Sequence, residues 1–335
     1  MEDTNKINTL PLLEVEQIPD IDTLISDEIE TSKSDEFYED IEKPGLLRLP
    51  HGNALTLNEI YQITACEDSK IIAFIGPFES GKTTIETTFY QMFQRTPFCG
   101  LYFSDSATLS GYEERSFYTR LNSKNKTATT LRTSRFNEEL FLHLRLYDPE
   151  TKSNTNYLFA DISGETIFSH KGNVTTLKEN LPYLKAADEY TFVLDGNQLA
   201  DKTLRNGTID SMRNMARTIF DAELFTNRTR AQIVISKYDV IGKSHDDCLK
   251  SVVNSSVQSL VTLVGQYISN VTVHHIAAMP QNEGFNVGYG LEELLETWKQ
   301  KNCHDSISIP CASTSGLKSE FNKLNYKLLG GEADD

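Results

Sequence analysis

Cysteine is scarce and scattered in this chain of 335 residues. The five cysteines are Cys66, Cys99, Cys248, Cys303 and Cys311; their number is odd and they contain no C-x-x-C pair. Neither a disulfide framework nor a thiolate zinc site is expected, and a reducing, cytoplasmic setting fits. Long apolar runs are missing as well. None approaches the ~20 residues that cross a bilayer, so no membrane span is expected. The first residues are acidic, which excludes a secretory signal. Sequons at Asn125, Asn173 and Asn227 then read as chance matches. Basic residues are outnumbered, 32 Lys and Arg against 48 Asp and Glu, for a net charge of −16. That balance argues against a nucleic-acid backbone or an anionic membrane as the main partner.

The negative charge is uneven. Met1 to Lys43 holds 14 Asp and Glu against 3 Lys and Arg. With few aromatics and Pro44-Gly45 at its end, this stretch reads as a disordered acidic tail. Its Leu10, Leu12, Leu13, Val15 and Ile18 offer an apolar-acidic surface to a partner, although a solvated tail is the simpler reading. From residue 45 to 335 the chain reads as one globular domain. Leu55 to Glu59 looks like the start of a helix, with Asn58 as its cap. Apolar runs follow at Ile71–Ile75, Leu140–Leu146, Tyr157–Ala160, Thr191–Leu194, Gln232–Ile235 and Val271–Ile276. Helical patterns fall between most of them, at Thr83–Arg95, Ile209–Phe225, Asp246–Tyr267 and Leu291–Gln300. In the last, Leu291, Leu294, Leu295 and Trp298 share one face, which reads as core packing. Strands alternating with helices predict an α/β fold, a three-layer, doubly wound, mostly parallel sheet. Regular pattern is missing between Arg95 and Asn137, a polar stretch long enough to be functional or mobile. There is no internal repeat.

The most informative segment is Ile71–Thr84, IIAFIGPFESGKTT. Gly76, four residues, then Gly81-Lys82-Thr83 make the phosphate-loop pattern G-x-x-x-x-G-K-[ST]. An apolar strand feeds it and a helical run follows, which is the setting that the pattern requires. A triphosphate concentrates negative charge in a small volume. Glycines let the backbone wrap it and aim N–H groups inward, and the helix start adds its positive end. Gly76, Glu79, Ser80, Gly81, Lys82, Thr83 and Thr84 are therefore the phosphate-binding residues. Lys82 is expected to reach the β- and γ-phosphates, and the Thr83 hydroxyl to ligate Mg²⁺.

Three further elements narrow the ligand. Tyr157–Ala160 ends in Asp161, with Gly164 and Glu165 just beyond. Asp161 suits the Mg²⁺ shell, and the Gly164 N–H suits the γ-phosphate, so this loop can sense whether that phosphate is present. Ser236-Lys237-Tyr238-Asp239 resembles the guanine-reading element Asn-Lys-x-Asp, with Ser in first place. A carboxylate at Asp239 can accept hydrogen bonds from guanine N1 and its exocyclic amine, donors that adenine lacks there. The Lys237 stem would lie over the base. Val273-His274-His275-Ile276-Ala277-Ala278 would place a backbone N–H of Ala277 or Ala278 against the guanine oxygen. The two histidines, adjacent on a strand, point to opposite faces and do not suggest a metal.

In this order the elements resemble the TRAFAC-class GTPases over about Leu55 to Trp298. The stretches Ser106–Arg115, Phe141–Leu144, Asp161–Glu165 and Leu194-Asp195-Gly196 resemble, more narrowly, the bacterial double-GTPase family. The resemblance implies a Ras-like core, GTP or GDP as ligand, and Mg²⁺. It also implies a place in multi-gene bacterial defence or conflict systems, with a companion GTPase or effector as partner. Three departures matter. Ser236 stands where Asn is usual. Glu165 stands where many such proteins carry the Gln that positions the attacking water, so intrinsic hydrolysis is expected to be slow. The first switch should supply a Thr to Mg²⁺ and the γ-phosphate. Thr127, Thr129, Thr130 and Thr133 compete for that role, and Thr133, in Thr130-Leu131-Arg132-Thr133, is preferred. Arg115, Arg120, Arg132 and Arg135 are candidates for an arginine acting in cis near the transition state, unless they are structural or a partner supplies it. The leading expectation is a GTP-hydrolysing switch, with Lys82, Thr133, Gly164 and Glu165 at the chemistry. A phosphate-loop ATPase and a nucleotide-loaded scaffold without turnover stay open beside it.

Overall fold

A strand that is apolar on both faces needs cover on both sides. The central strand, Ser69–Ile75, is of that kind. The structure, a computed structural model, describes residues 51–117, 140–243 and 247–300. The acidic stretch Met1–Lys43, the threonines 127, 129, 130 and 133, and the arginines 120, 132 and 135 lie outside the described residues.

Eight strands form one sheet: β1 Leu55–Thr56, β2 Ser69–Ile75, β3 Tyr102–Asp105, β4 Leu140–Asp148, β5 Ser153–Ala160, β6 Glu189–Asp195, β7 Arg230–Ser236 and β8 Val271–His275. Their order is β1-β4-β5-β2-β6-β7-β8, with β3 beside β4. The strands from β5 to β8 run parallel, while β4 is antiparallel to β5, β1 and β3. This is the three-layer, doubly wound, mostly parallel sheet that the sequence predicts, with its antiparallel pairings all at β4.

The helices are α1 Leu57–Cys66, α2 Lys82–Arg95, α3 Leu109–Ser116, α4 Gly164–Ser169, α5 Val174–Asn180, α6 Gly196–Ala200, α7 Arg205–Asp221, α8 Asp239–Gly242, α9 Asp247–Val264 and α10 Leu291–Lys299. Along β2 the side chains alternate between two cores. Ile71, Ala73 and Ile75 pack under α1, α7 and α9, with Ile60, Met212, Met215 and Leu260. Ile72 and Phe74 pack under α2 and α10, with Ile85, Phe89, Leu294 and Trp298. The face of α10 read as core from its spacing is fully buried there. Trp298 is the keystone of that layer. Its ring lies 5.2 Å from Phe89 and 6.0 Å from Phe74, and its Nε1 donates to the buried Gln232 at 3.3 Å.

Two local readings are corrected. Helix α1 is capped by Thr56, not by Asn58. Thr56 N and Oγ1 both donate to Glu59 Oε2 at 2.8 Å, so the acid three residues on selects the cap. The stretch after Arg95 is also partly regular, since β3 and α3 lie within it.

The topology places the site. From β2 the chain moves toward β4 and β5; from β6 it moves the other way, to β7 and β8. The crevice between β2 and β6, at their C-terminal ends, is the switch point where such sheets take ligands.

Candidate functional site

The loop from Gly76 to Gly81 joins β2 to α2 at that crevice. Gly81 caps the helix at φ 92°, a left-handed conformation that side chains disfavour, and Glu79 follows the same hand at φ 61°. The first bond of the helix runs from Ile85 N to Gly81 O, at 3.0 Å. The amides of Lys82, Thr83 and Thr84 therefore look to acceptors outside the helix. Lys82 folds back over the loop. Its Nζ donates to Gly76 O at 2.9 Å and to Pro77 O at 3.1 Å. Burial lowers its pKa to about 8, against the pull of the Glu86 and Asp161 carboxylates. Ser80 is fully buried in the same loop, and its Oγ has no hydrogen-bond partner among the described residues.

Asp161 follows β5 and is buried beside this loop. Its Oδ1 lies 3.5 Å from Thr83 Oγ1. Its Oδ2 accepts from Arg115 Nε at 2.5 Å, while Arg115 Nη1 donates to Gly111 O at 3.1 Å. Arg115 thus stands inside the site. One helical turn past Lys82, Glu86 is fully buried. Burial and the charge of Asp161 push its carboxyl well above the ordinary range, against Arg115 and Lys82. Its Oε2 and the Tyr112 hydroxyl are unpartnered among the described residues. The sequence reading missed Glu86 and Tyr112. The available signal was helical spacing: Glu86 is four residues from Lys82 on the same helix.

Gly164 opens α4 directly against the phosphate loop. A Cβ there would lie 2.4 Å from the Pro77 carbonyl carbon and 2.6 Å from Phe78 N, so only glycine fits. Glu165 is the next residue, in the first turn of α4 and half-buried.

On the other side of the crevice, β7 ends at Ser236. The Ser236 hydroxyl sits 2.6 Å from Ser80 O and 3.1 Å from Leu194 O. With Ser in first place, this position still ties β7 to the phosphate loop. Lys237, at φ 49°, sends its Nζ to Glu79 O at 2.8 Å and to Asp195 Oδ2 at 2.9 Å. Asp195, whose other oxygen accepts from Asn197 N at 2.9 Å, is a further residue that sequence reasoning gave no role. Asp239 is buried at the start of α8. Beyond β8, the Ala277 N–H donates to Tyr289 O at 3.0 Å, and Gly288 N donates to Ala278 O at 2.9 Å. The Ala277 amide is thus engaged within the protein, while among the described residues no backbone bond involves the Ala278 amide.

The residues present fit a nucleoside triphosphate with a magnesium ion. The loop offers the buried Ser80 hydroxyl, a helix start and a lysine to phosphates. Thr83 and Asp161 offer two hard oxygen donors 3.5 Å apart, the donor type that Mg²⁺ takes when phosphates complete its shell. Among the described residues, no helix is long and apolar enough to cross a membrane.

No curated protein is similar enough to this chain to count as a relative. Among solved structures, the chain is similar to a bacterial selenocysteine-specific elongation factor, EF-Sec, at 14% identity and a TM-score of 0.35. That match covers 69% of this chain and 28% of the other, so the chain spans less than a third of that protein's length. The family model Double-GTPase 2 matches residues 70–299, from the strand feeding the phosphate loop to the last described helix. That span holds both sides of the crevice and more than half of the chain, which belongs to the Double-GTPase 2 family.

Proposed function

We propose that this protein binds GTP with Mg²⁺, hydrolyses it slowly, and serves as a nucleotide-dependent switch read by a protein partner. One observation carries the reading: the element suited to the base is hydrogen-bonded directly to the phosphate loop. Ser236 bonds to Ser80 O and Lys237 to Glu79 O, so the groups suited to guanine and those suited to phosphates hold one another in register.

In this reading, amides of the loop and the start of α2 receive the phosphate oxygens, and the Lys82 ammonium offsets their charge. The Lys237 stem covers the base, and Asp239 accepts from its N1–H and amine. Thr83 and Asp161 would hold Mg²⁺, which when bound neutralises charge on the β- and γ-phosphates. In hydrolysis, water attacks the γ-phosphorus and the bond to the β–γ bridging oxygen breaks. Arg115 is near enough to the Asp161 side of the site to supply positive charge there. Glu165 is a poor substitute for an amide that orients water beside a triphosphate, which keeps the intrinsic rate low. The segment Asp161–Lys171 would shift with the γ-phosphate, and a companion GTPase or effector in a bacterial defence system would read the difference. Glu165 also favours a second reading, a GTP-loaded scaffold that assembles with partners and does not turn over.

The test is the nucleotide carried by the purified protein in Mg²⁺, released by denaturation and separated by chromatography, beside Lys82→Ala. Guanine nucleotide on the native chain and none on Lys82→Ala is expected. Adenine nucleotide would refute the guanine assignment. GTP that persists through a single-turnover assay, with and without the partner, would replace the switch by the scaffold.

A further inference from the structure

We propose that Asn282 is a positioning residue for base selection: it turns the Asp239 carboxylate so that one oxygen, Oδ1, reads the guanine. This rests on the guanine reading of the site and adds to it a residue and a loop outside Ser236–Asp239.

The observation is a lopsided carboxylate. Asp239 Oδ2 accepts three hydrogen bonds, all from one dipeptide: Gln281 N at 3.1 Å, Asn282 N at 3.3 Å and Asn282 Nδ2 at 3.0 Å. Oδ1 accepts none of the hydrogen bonds among the described residues. A buried carboxylate needs donors, and hydrogen bonds to a charged acceptor are the strong ones. Here they are all spent on one oxygen. Two backbone amides hold that oxygen in place. The Asn282 amide adds a third direction and so fixes rotation about the Cβ–Cγ bond. The oxygen left for an outside donor is then set in direction as well as in position.

The loop that delivers these donors is fastened to the elements around Asp239. Its ends are tied by Ala277 N to Tyr289 O and by Gly288 N to Ala278 O. Its Phe285 ring stands edge-on to Tyr289 at 4.9 Å and to Tyr238 at 6.5 Å. Tyr238 in turn stacks on His275 at 4.3 Å. Phe285 also closes over Gly242 at the end of α8, where a Cβ would meet its Cζ at 2.6 Å. Asp239 therefore sits at one end of a helix that this loop clasps at the other. The aromatic contacts fix the loop, and the loop fixes the carboxylate.

A single aimed oxygen makes a chemical prediction. Guanine offers an N1–H and an exocyclic amine to that oxygen; hypoxanthine offers the N1–H alone; adenine offers neither at those places. The native chain should bind GTP more tightly than ITP, and ITP more tightly than ATP. In Asn282→Ala the backbone donors remain but the carboxylate is free to turn. The GTP affinity should then fall roughly tenfold, the scale of one hydrogen bond to a charged group. The ITP affinity should fall less, so the GTP-to-ITP ratio should shrink toward one. Asn282→Ser, which is shorter still polar and unable to reach Oδ2 in the same way, should behave similarly.

The experiment is equilibrium titration of fluorescent GTP, with unlabelled GTP, ITP and ATP as competitors, on the full chain and both variants. Thermal melts confirm that each variant is folded. A collapsed GTP-to-ITP ratio in a folded variant supports the proposal. Equal loss for all three nucleotides would mean that Asn282 only braces the fold and would overturn it. So would a native chain that prefers GTP over ATP but does not separate GTP from ITP. A native chain with no preference for GTP over ATP would instead refute the guanine reading itself, and this inference with it.

Discussion

Arg115 and Asp161 form a buried pair, and each partner is there on account of the other. Their side chains are 12% and 2% exposed, and Glu86 and Lys82 crowd the same space. A buried ion pair adds little net stability, but removing one member leaves a charge without compensation. Arg115→Ala is therefore expected to destabilise the fold by about 3 kcal/mol. The cost should be largely recovered in the double variant with Asp161→Asn, where no carboxylate is stranded. Arg115→Lys should recover little, because Nε and Nη1 reach Asp161 Oδ2 and Gly111 O through a rigid fork that an ammonium lacks. Urea unfolding of the four proteins as a double-mutant cycle measures the coupling. Additive losses would show that the pair does not act as a unit.

The turn that joins β3 to α3 is pinned to the sheet by one histidine of β4. His143 is buried, and its Nδ1 accepts from Ala107 N at 3.0 Å while its Nε2 donates to Asn156 Oδ1 at 2.9 Å. Both bonds need the neutral ring with its proton on Nε2. Burial lowers the His143 pKa in the folded state below the ordinary 6.5, against the pull of Asn156. The folded protein then binds fewer protons than the unfolded chain at mildly acid pH. The stability from this residue is full above the unfolded value and is lost as pH falls through the lowered folded one. Acidification from pH 7.5 to 5.5 should lower the stability of the native chain more than that of His143→Gln, measured by denaturant midpoints. The same contacts explain what the sequence could and could not show. The phosphate loop, Asp161 and Asp239 were legible because their chemistry is local: a strand, a few fixed residue types and a turn. Six of the eight strands were legible as apolar runs. β3 was not, since all four of its residues face solvent and show no alternation. Nor was α3, which has a glycine at Gly111 and takes its place from a histidine more than 25 residues on. Asn282 was hidden for the same reason. It lies 43 positions beyond Asp239 and meets it only once the chain between has folded back.

At the scale of the molecule, the site is the seam of the sheet. The chain leaves β2 for one edge and β6 for the other, so the loop of Lys82 and the element of Asp239, proposed to hold phosphates and base, belong to opposite wings. A nucleotide that touches both wings adds contacts across the seam that no single wing can make. Such a ligand stabilises the folded chain as a whole by mass action, about 2.7 kcal/mol at a hundredfold excess over Kd. For a domain of this size that is a rise in Tm of roughly 5–10 °C. The rise should grow with the logarithm of GTP concentration and shrink when Mg²⁺ is chelated, because Thr83 and Asp161 then face the phosphates without the cation that reconciles Asp161 with them. Asp239→Asn should lose most of the rise with GTP, although its phosphate loop is untouched. Lys82→Ala should lose it for every nucleotide. Differential scanning calorimetry across that set separates the wings: a GTP response that survives Asp239→Asn in full would mean that the ligand is gripped by the phosphate side alone, and that the two wings are not joined through the base.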